Sequence, residues 1–191
     1  MSGGGRTNTG SRWLVWTLVA LIGLLAAGIT VDYAILKNFG TVEPGKIYRS
    51  GQPSEAQLES WIQKYGFKSI LSMRFGVPDY EKELAEQNGI KLYHVPFSAT
   101  QGLGKGQWET IRQILTDESN LPLLVHCHGG GDRSGIVTVL YRVDVQGWPL
   151  EKALREMNRH YHVSLRYPAL HKQLRERYQE GSLEEAAQTA P

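Results

Sequence analysis

The chain has 191 residues, 41% of them hydrophobic, enough for one packed domain plus an appendage, which excludes fibrous, fully disordered and multidomain readings. It carries 21 Lys and Arg against 19 Asp and Glu. Only Arg6, Arg12, Lys37 and Asp32 fall in the first forty residues, so residues 41–191 hold 18 charges of each sign, without the basic excess of a nucleic-acid binder. The single cysteine excludes an internal disulfide and a multi-cysteine metal cluster, and no metal or cofactor is expected.

Residues 1–12 are rich in Gly, Ser and Thr and are expected to be disordered. Residues 13–31, WLVWTLVALIGLLAAGITV, hold no charge and are long enough to cross a bilayer, with Trp13 and Trp16 placed as interfacial anchors. A transmembrane anchor over residues 13–36 is therefore expected. Small residues at Ala26, Ala27 and Gly28 keep a cleaved signal peptide open as the other reading. Arg6 and Arg12 before the segment and Asp32 after it place the N-terminus in the cytoplasm, hence a single-pass protein of the cytoplasmic membrane with its domain on the outer side.

Beyond the connector, helical and extended patterns alternate. Leu58, Trp61, Ile62 and Tyr65 share one helical face, opened by Pro53, Ser54 and Glu55 and stopped by Gly66. Residues 69–73 read as a strand, residues 80–87 as a helix, Asn88 and Gly89 as a turn, and residues 90–95 as a second strand. A glycine-rich loop at 102–106 leads to a helix carrying Trp108, Ile111 and Leu115. Leu123, Leu124 and Val125 form the continuous apolar run of a strand buried on both faces. Two helical faces follow, one with Ile136, Val139, Leu140 and Val143, the other with Leu150, Leu154 and Met157. Strands separated by helices predict an α/β fold, a mostly parallel central sheet flanked by helices over residues 41–180, with a flexible tail at 181–191.

The chemistry is concentrated between the apolar strand and the helix beginning near Ser134, where the sequence reads His126-Cys-His-Gly-Gly-Gly-Asp-Arg-Ser134. A strand-to-helix turn in an open α/β sheet is a ligand site, and the incoming helix offers unpaired N–H groups and a positive dipole end. Gly129, Gly130 and Gly131 let successive N–H groups converge on one anion, with His128 and Asp132 beside them. Arg133 supplies a planar fork matching two phosphate oxygens. Cys127, at the floor, sits among groups that favour the thiolate. His160, His162 and His171 lack metal-site spacing and read as surface or core residues.

This His-Cys-x5-Arg-Ser run is the signature of the cysteine-based protein phosphatases. The flanking Tyr48-Arg-Ser-Gly-Gln-Pro53, His94-Val-Pro-Phe-Ser-Ala99, Tyr141-Arg142 and Gln146-Gly-Trp148 resemble bacterial dual-specificity-type tyrosine phosphatases, across roughly residues 45–170 and closest to membrane-associated or exported members. The resemblance implies the dual-specificity phosphatase fold behind an N-terminal transmembrane helix. It also implies attack by Cys127 on phosphorus, hydrolysis of a phosphocysteine by water, charge stabilisation by Arg133 and the loop amides, and a hydrogen bond from Ser134 to the departing sulfur. The substrate would be a phosphorylated protein, phosphotyrosine first, or a small phosphoester.

One part of the family pattern is missing. The loop after residues 90–95, where the general-acid Asp usually stands, holds no carboxylate. Asp79, in the exit loop of the strand at 69–73, and Asp132 are the candidates, with no dedicated acid as the third reading. Three other activities stay open: an inositol phosphate or phosphoinositide phosphatase, disfavoured by the lack of lysine in the loop; a membrane-tethered pseudophosphatase; and a rhodanese-type sulfurtransferase, against which His126 and the Arg133-Ser134 pair argue.

Overall fold

A computed structural model describes residues 9–31, 37–160 and 168–189. Residues 1–8 of the expected N-terminal segment, residues 32–36 of the expected anchor, His162, and residues 190 and 191 lie outside the described residues. Two compact units divide the chain after Leu36.

The first unit is one helix, α1 (Thr9–Thr30), which begins four residues before the apolar run. Its 19-residue stretch Arg12–Thr30 is long and apolar enough to cross a membrane, by length and composition. At 1.5 Å per residue that is roughly 28 Å, about the thickness of a hydrocarbon core. The hydroxyls in it are satisfied internally: Thr17 Oγ1 donates to Trp13 O at 2.8 Å and Thr30 Oγ1 to Ala26 O at 2.9 Å.

The second unit orders its strands β1 (Gly40–Glu43), β2 (Ile47–Ser50), β3 (Ser69–Ser72), β4 (Lys91–His94) and β5 (Leu123–His126) as β1-β2-β5-β3-β4. Four strands are parallel; β1 is antiparallel to β2. The β1–β2 hairpin is an addition to the sequence reading. Its strands are four residues long, and β2 buries Arg49 and Ser50 where a pattern reader looks for apolar residues.

Alternation along the strands supplies two cores. Ile47, Leu71, Leu123 and Val125 face α4 (Lys105–Thr116), α5 (Asp132–Leu140), α6 (Leu150–Arg159) and α7 (Pro168–Thr189) through Trp108, Ile111, Ile136, Leu154 and Leu174. Tyr48, Ile70 and Leu124 face α2 (Glu55–Tyr65) and α3 (Asp79–Gln87) through Leu58, Ile62 and Leu84. Each such buried side chain is worth about 1.5–3 kcal/mol. The start of α2 follows its sequence signal, a capping box in which Gln57 Oε1 accepts from Ser54 N–H at 2.9 Å. Helix α7 runs on to Thr189, through most of the segment read as a flexible tail; the Glu and Ala run at 184–187 is made of strong helix formers.

Register then places the site. Ser50, His126, Ser72 and His94 stand side by side at the C-terminal ends of β2, β5, β3 and β4, so the four exit loops share one edge. The Tyr141-Arg142 and Gln146-Gly-Trp148 residues serve as scaffold. Tyr141 and Gln146 bond the Glu43 carboxylate of β1, while Arg142 grips Glu156 of α6 with two 2.7 Å bonds and lies over the Trp148 ring.

Candidate active site

Cys127 leaves β5 with its side chain buried, and three groups fix it. Its N–H donates to Ser50 O at 3.3 Å, the Gly130 N–H reaches its Sγ at 3.3 Å, and Ser134 Oγ, buried in the first turn of α5, lies 3.5 Å from the same sulfur. The sulfur therefore sits inside the loop, at the mouth of α5, with donors directed at it. Gly130 has φ of 73°, a left-handed conformation costly for any side chain, and a Cβ there would stand 2.5 Å from Gly51 N. Gly51 is as constrained from the other side, since its Cβ would lie 2.9 Å from His128 O. The loop and the end of β2 thus touch backbone to backbone.

The loop carbonyls face away from the sulfur. His128 O accepts from Gln52 N–H at 3.1 Å, Gly129 O from Asn38 Nδ2 at 3.4 Å, and Gly130 O from the guanidinium of Arg49. In a trans peptide the following N–H points the opposite way, so the N–H groups of Gly129, Gly130 and Gly131 turn inward. This is the geometry of an anion nest. Gly131 caps α5, and Asp132 is its first, half-buried residue. Arg133 Nη1 donates to Met73 O at 2.7 Å and to Phe97 O at 3.5 Å, tying the loop to the exits of β3 and β4. His128 is exposed at the rim.

Asp79 is not brought to this cluster. It is the first residue of α3, its side chain is 87% exposed, and its polar partner among the described residues is Lys82, at 2.9 Å. The Lys82 ammonium holds the Asp79 carboxyl below its usual range, the opposite of what a proton donor needs. The exit loop of β3 does reach the site through Met73, as the parallel topology requires, but Asp79 stands at its far end and turns to solvent. The carboxylate of that segment that turns inward is Glu81. It is fully buried, with Oε1 2.8 Å from His126 Nε2 and Oε2 accepting from Gln52 Nε2 at 2.8 Å. Burial alone would raise its pKa; the His126 and Gln52 bonds outweigh that and leave it lowered. Gln52 in turn accepts from Arg74 Nη1 at 3.0 Å, so one chain of bonds joins His126, α3 and the β3 exit loop.

Asn38, Arg49, Gln52 and Glu81 are the site residues that sequence reasoning missed. Glu81 carried a signal: it stands at i, i+3, i+4 with Leu84 and Ala85, a carboxylate on the apolar face of its helix. Arg49 carried one too, at i+2 from Ile47 on the buried face of a strand.

A cysteine at the end of a buried parallel strand, in a glycine loop at a helix N-terminus with an amide and a hydroxyl directed at its sulfur and an arginine following, is the architecture of a cysteine-based phosphatase. The chain belongs to the tyrosine phosphatase family, whose model matches residues 34–188. It is 30% identical over 113 residues to the dual specificity protein phosphatase TpbA of Pseudomonas aeruginosa, covering 59% of this chain and 50% of TpbA. It is 32% identical over 127 residues to the inositol diphosphatase DSP4 of Arabidopsis thaliana, covering 64% of this chain and 63% of DSP4. The fold matches a crystal structure of a P. aeruginosa TpbA variant in complex with pTyr with a TM-score of 0.56 at 25% identity, over 67% of this chain and 76% of that one. The chain thus spans about half to two thirds of the curated relatives it matches.

Proposed function

We propose that this protein hydrolyses phosphate monoesters through a phosphocysteine, with phosphotyrosine in proteins as the preferred substrate. The observation that carries the reading is the convergence of the Gly130 N–H and Ser134 Oγ on Cys127 Sγ inside a loop whose His128, Gly129 and Gly130 carbonyls are held outward. Cys127 Sγ gives its electron pair to phosphorus as the bond to the leaving oxygen breaks. The nest amides and Arg133 hold the three equatorial oxygens. Water then forms a new P–O bond, the P–S bond breaks, and Ser134 donates to the released thiolate. TpbA, a similar protein solved with pTyr, supports this substrate.

The inositol diphosphatases among the relatives give the second reading some support, and so does the leaving group. With residues 96–104 carrying no carboxylate and Asp79 turned to Lys82, groups that depart with little protonation are favoured. Phenolate and phosphate both qualify; a serine alkoxide does not. Phosphotyrosine is preferred because Arg133 is the loop's one permanent cation, whereas a multiply phosphorylated inositol brings several further charges. We assign the proton on the leaving oxygen to Asp132, carried by the loop itself.

Parallel rates on phosphotyrosine, phosphoserine and diphosphoinositol substrates test the assignment. Phosphotyrosine is expected to exceed phosphoserine by at least about a hundredfold. Asp79→Asn is expected to change phosphotyrosine turnover by less than about threefold, and Asp132→Asn to lower it about 10- to 100-fold. A large loss in Asp79→Asn would return the donor role to Asp79, and a faster rate on the diphosphoinositol would move the substrate to that class.

The proposed setting is the cytoplasmic membrane, with α1 as a single span and the domain on the outer side. Its support is the charge asymmetry of Arg6 and Arg12 before the span and Asp32 after it. A reporter fused after Pro191 is expected to be active only in its exported form, in the membrane fraction. Cytoplasmic activity would reverse the orientation, and a soluble product beginning near Gly28 would make the segment a cleaved signal.

A further inference from the structure

Arg49 is 1% exposed in the middle of β2, paired across the sheet with Val125 of β5 and Gly40 of β1. Its Nη2 donates to Gly130 O, while Nε and Nη1 find no acceptor among the described residues. A buried guanidinium with two unfilled donors is an expensive arrangement and is retained where the charge itself has a role. Cys127, Glu156 and Asp132 are the acidic groups whose field acts on it. Glu156 is already gripped by both bonds from Arg142, and Asp132 stands half-exposed on the next helix. Cys127 is buried two residues beyond Val125, the residue that Arg49 pairs with on β5. Burial pushes the guanidinium down to about 10, which keeps it charged throughout the neutral range.

Its one filled bond has a geometric consequence. Holding Gly130 O outward rotates the Gly130–Gly131 peptide so that the Gly131 N–H faces the nest, as Asn38 on Gly129 O does for the Gly130 N–H that reaches the sulfur. We propose that Arg49 is a positioning residue of this active site, clamping the Gly130–Gly131 peptide from below and acting as the buried counter-charge of the Cys127 thiolate. The proposal rests on the phosphocysteine reading, but it concerns the sulfur before any substrate arrives.

Because Cys127 is the only cysteine, alkylation of the full chain by iodoacetamide, followed by intact mass, reads this sulfur alone. Arg49→Met removes both charge and clamp; Arg49→Gln removes the charge and can still donate to Gly130 O. In both, the midpoint of the alkylation rate against pH is expected to move up by at least about one unit. Arg49→Lys is expected to keep the midpoint near that of the parent while losing phosphotyrosine turnover about tenfold or more, because an ammonium does not reproduce the planar clamp. An unmoved midpoint in either neutral variant, with melting temperature and circular dichroism retained, overturns the proposal. If neither neutral variant folds, the lysine variant decides it, and full turnover there overturns it. None of these alkylation outcomes depends on whether phosphotyrosine is the substrate.

Discussion

Cys127→Ser is expected to reduce phosphotyrosine turnover below about 1% of the parent while leaving binding of inorganic phosphate within a few-fold. The two effects separate because different atoms carry them. The nest is held by Gln52, Asn38 and Arg49 on loop carbonyls, and Arg133 is anchored on Met73 O, so the anion site is assembled without the thiol. A serine hydroxyl fits beside Ser134 and the Gly130 N–H. It remains protonated at neutral pH, no general base stands against it among the described contacts of Cys127, and an alkoxide would be a poor group to expel in the second step. Steady-state kinetics with phosphate binding by calorimetry checks both halves. Residual turnover of several per cent would show that another atom attacks phosphorus.

Arg133→Lys carries the second large effect, a loss of about a hundredfold in kcat/KM, equivalent to about 2.7 kcal/mol of transition-state stabilisation. Two contributions add. The guanidinium fork matches two equatorial oxygens at once, and an ammonium does not. The same side chain fastens α5 to the exit loops of β3 and β4 through Met73 O and Phe97 O, contacts that a shorter, single-nitrogen head cannot make while also meeting a phosphate. The kinetics therefore distinguish the roles: loss of the fork lowers kcat and raises KM together, whereas loss of the tie alone raises KM. An unchanged kcat/KM would remove Arg133 from the catalytic machinery.

What could be read from the sequence was whatever is encoded locally. The α2 cap, the apolar run of β5, the helical faces of α4, α5 and α6, and the turn at Asn88 and Gly89 each follow from residues a few positions apart, and the loop from His126 to Ser134 is contiguous. The groups that hold this loop are scattered. Asn38, Arg49 and Gln52 lie roughly 75 to 90 positions upstream, and parallel pairing of β2 with β5 is what brings Arg49 and Gln52 beneath it. Glu81 meets His126 because β3, which leads into α3, pairs with β5. The edge shared by the exit loops was legible, since parallel strands enforce it. Which carboxylate of the β3–α3 segment turns inward was not, because a step of two residues on a helix reverses the side it faces. Asp79 and Glu81 are separated by that step.

Turnover through a phosphocysteine requires a covalent bond between phosphorus and the sulfur of Cys127. Acid quenching of the full chain during turnover of a phosphotyrosine peptide, followed by intact mass and site mapping, tests it most directly. One phosphoryl group is expected on Cys127, absent in Cys127→Ser and accumulating further in Ser134→Ala, where release of the thiolate is slowed. Turnover at the full rate with no phosphoryl group ever trapped on Cys127, or with the label on another residue, would contradict it.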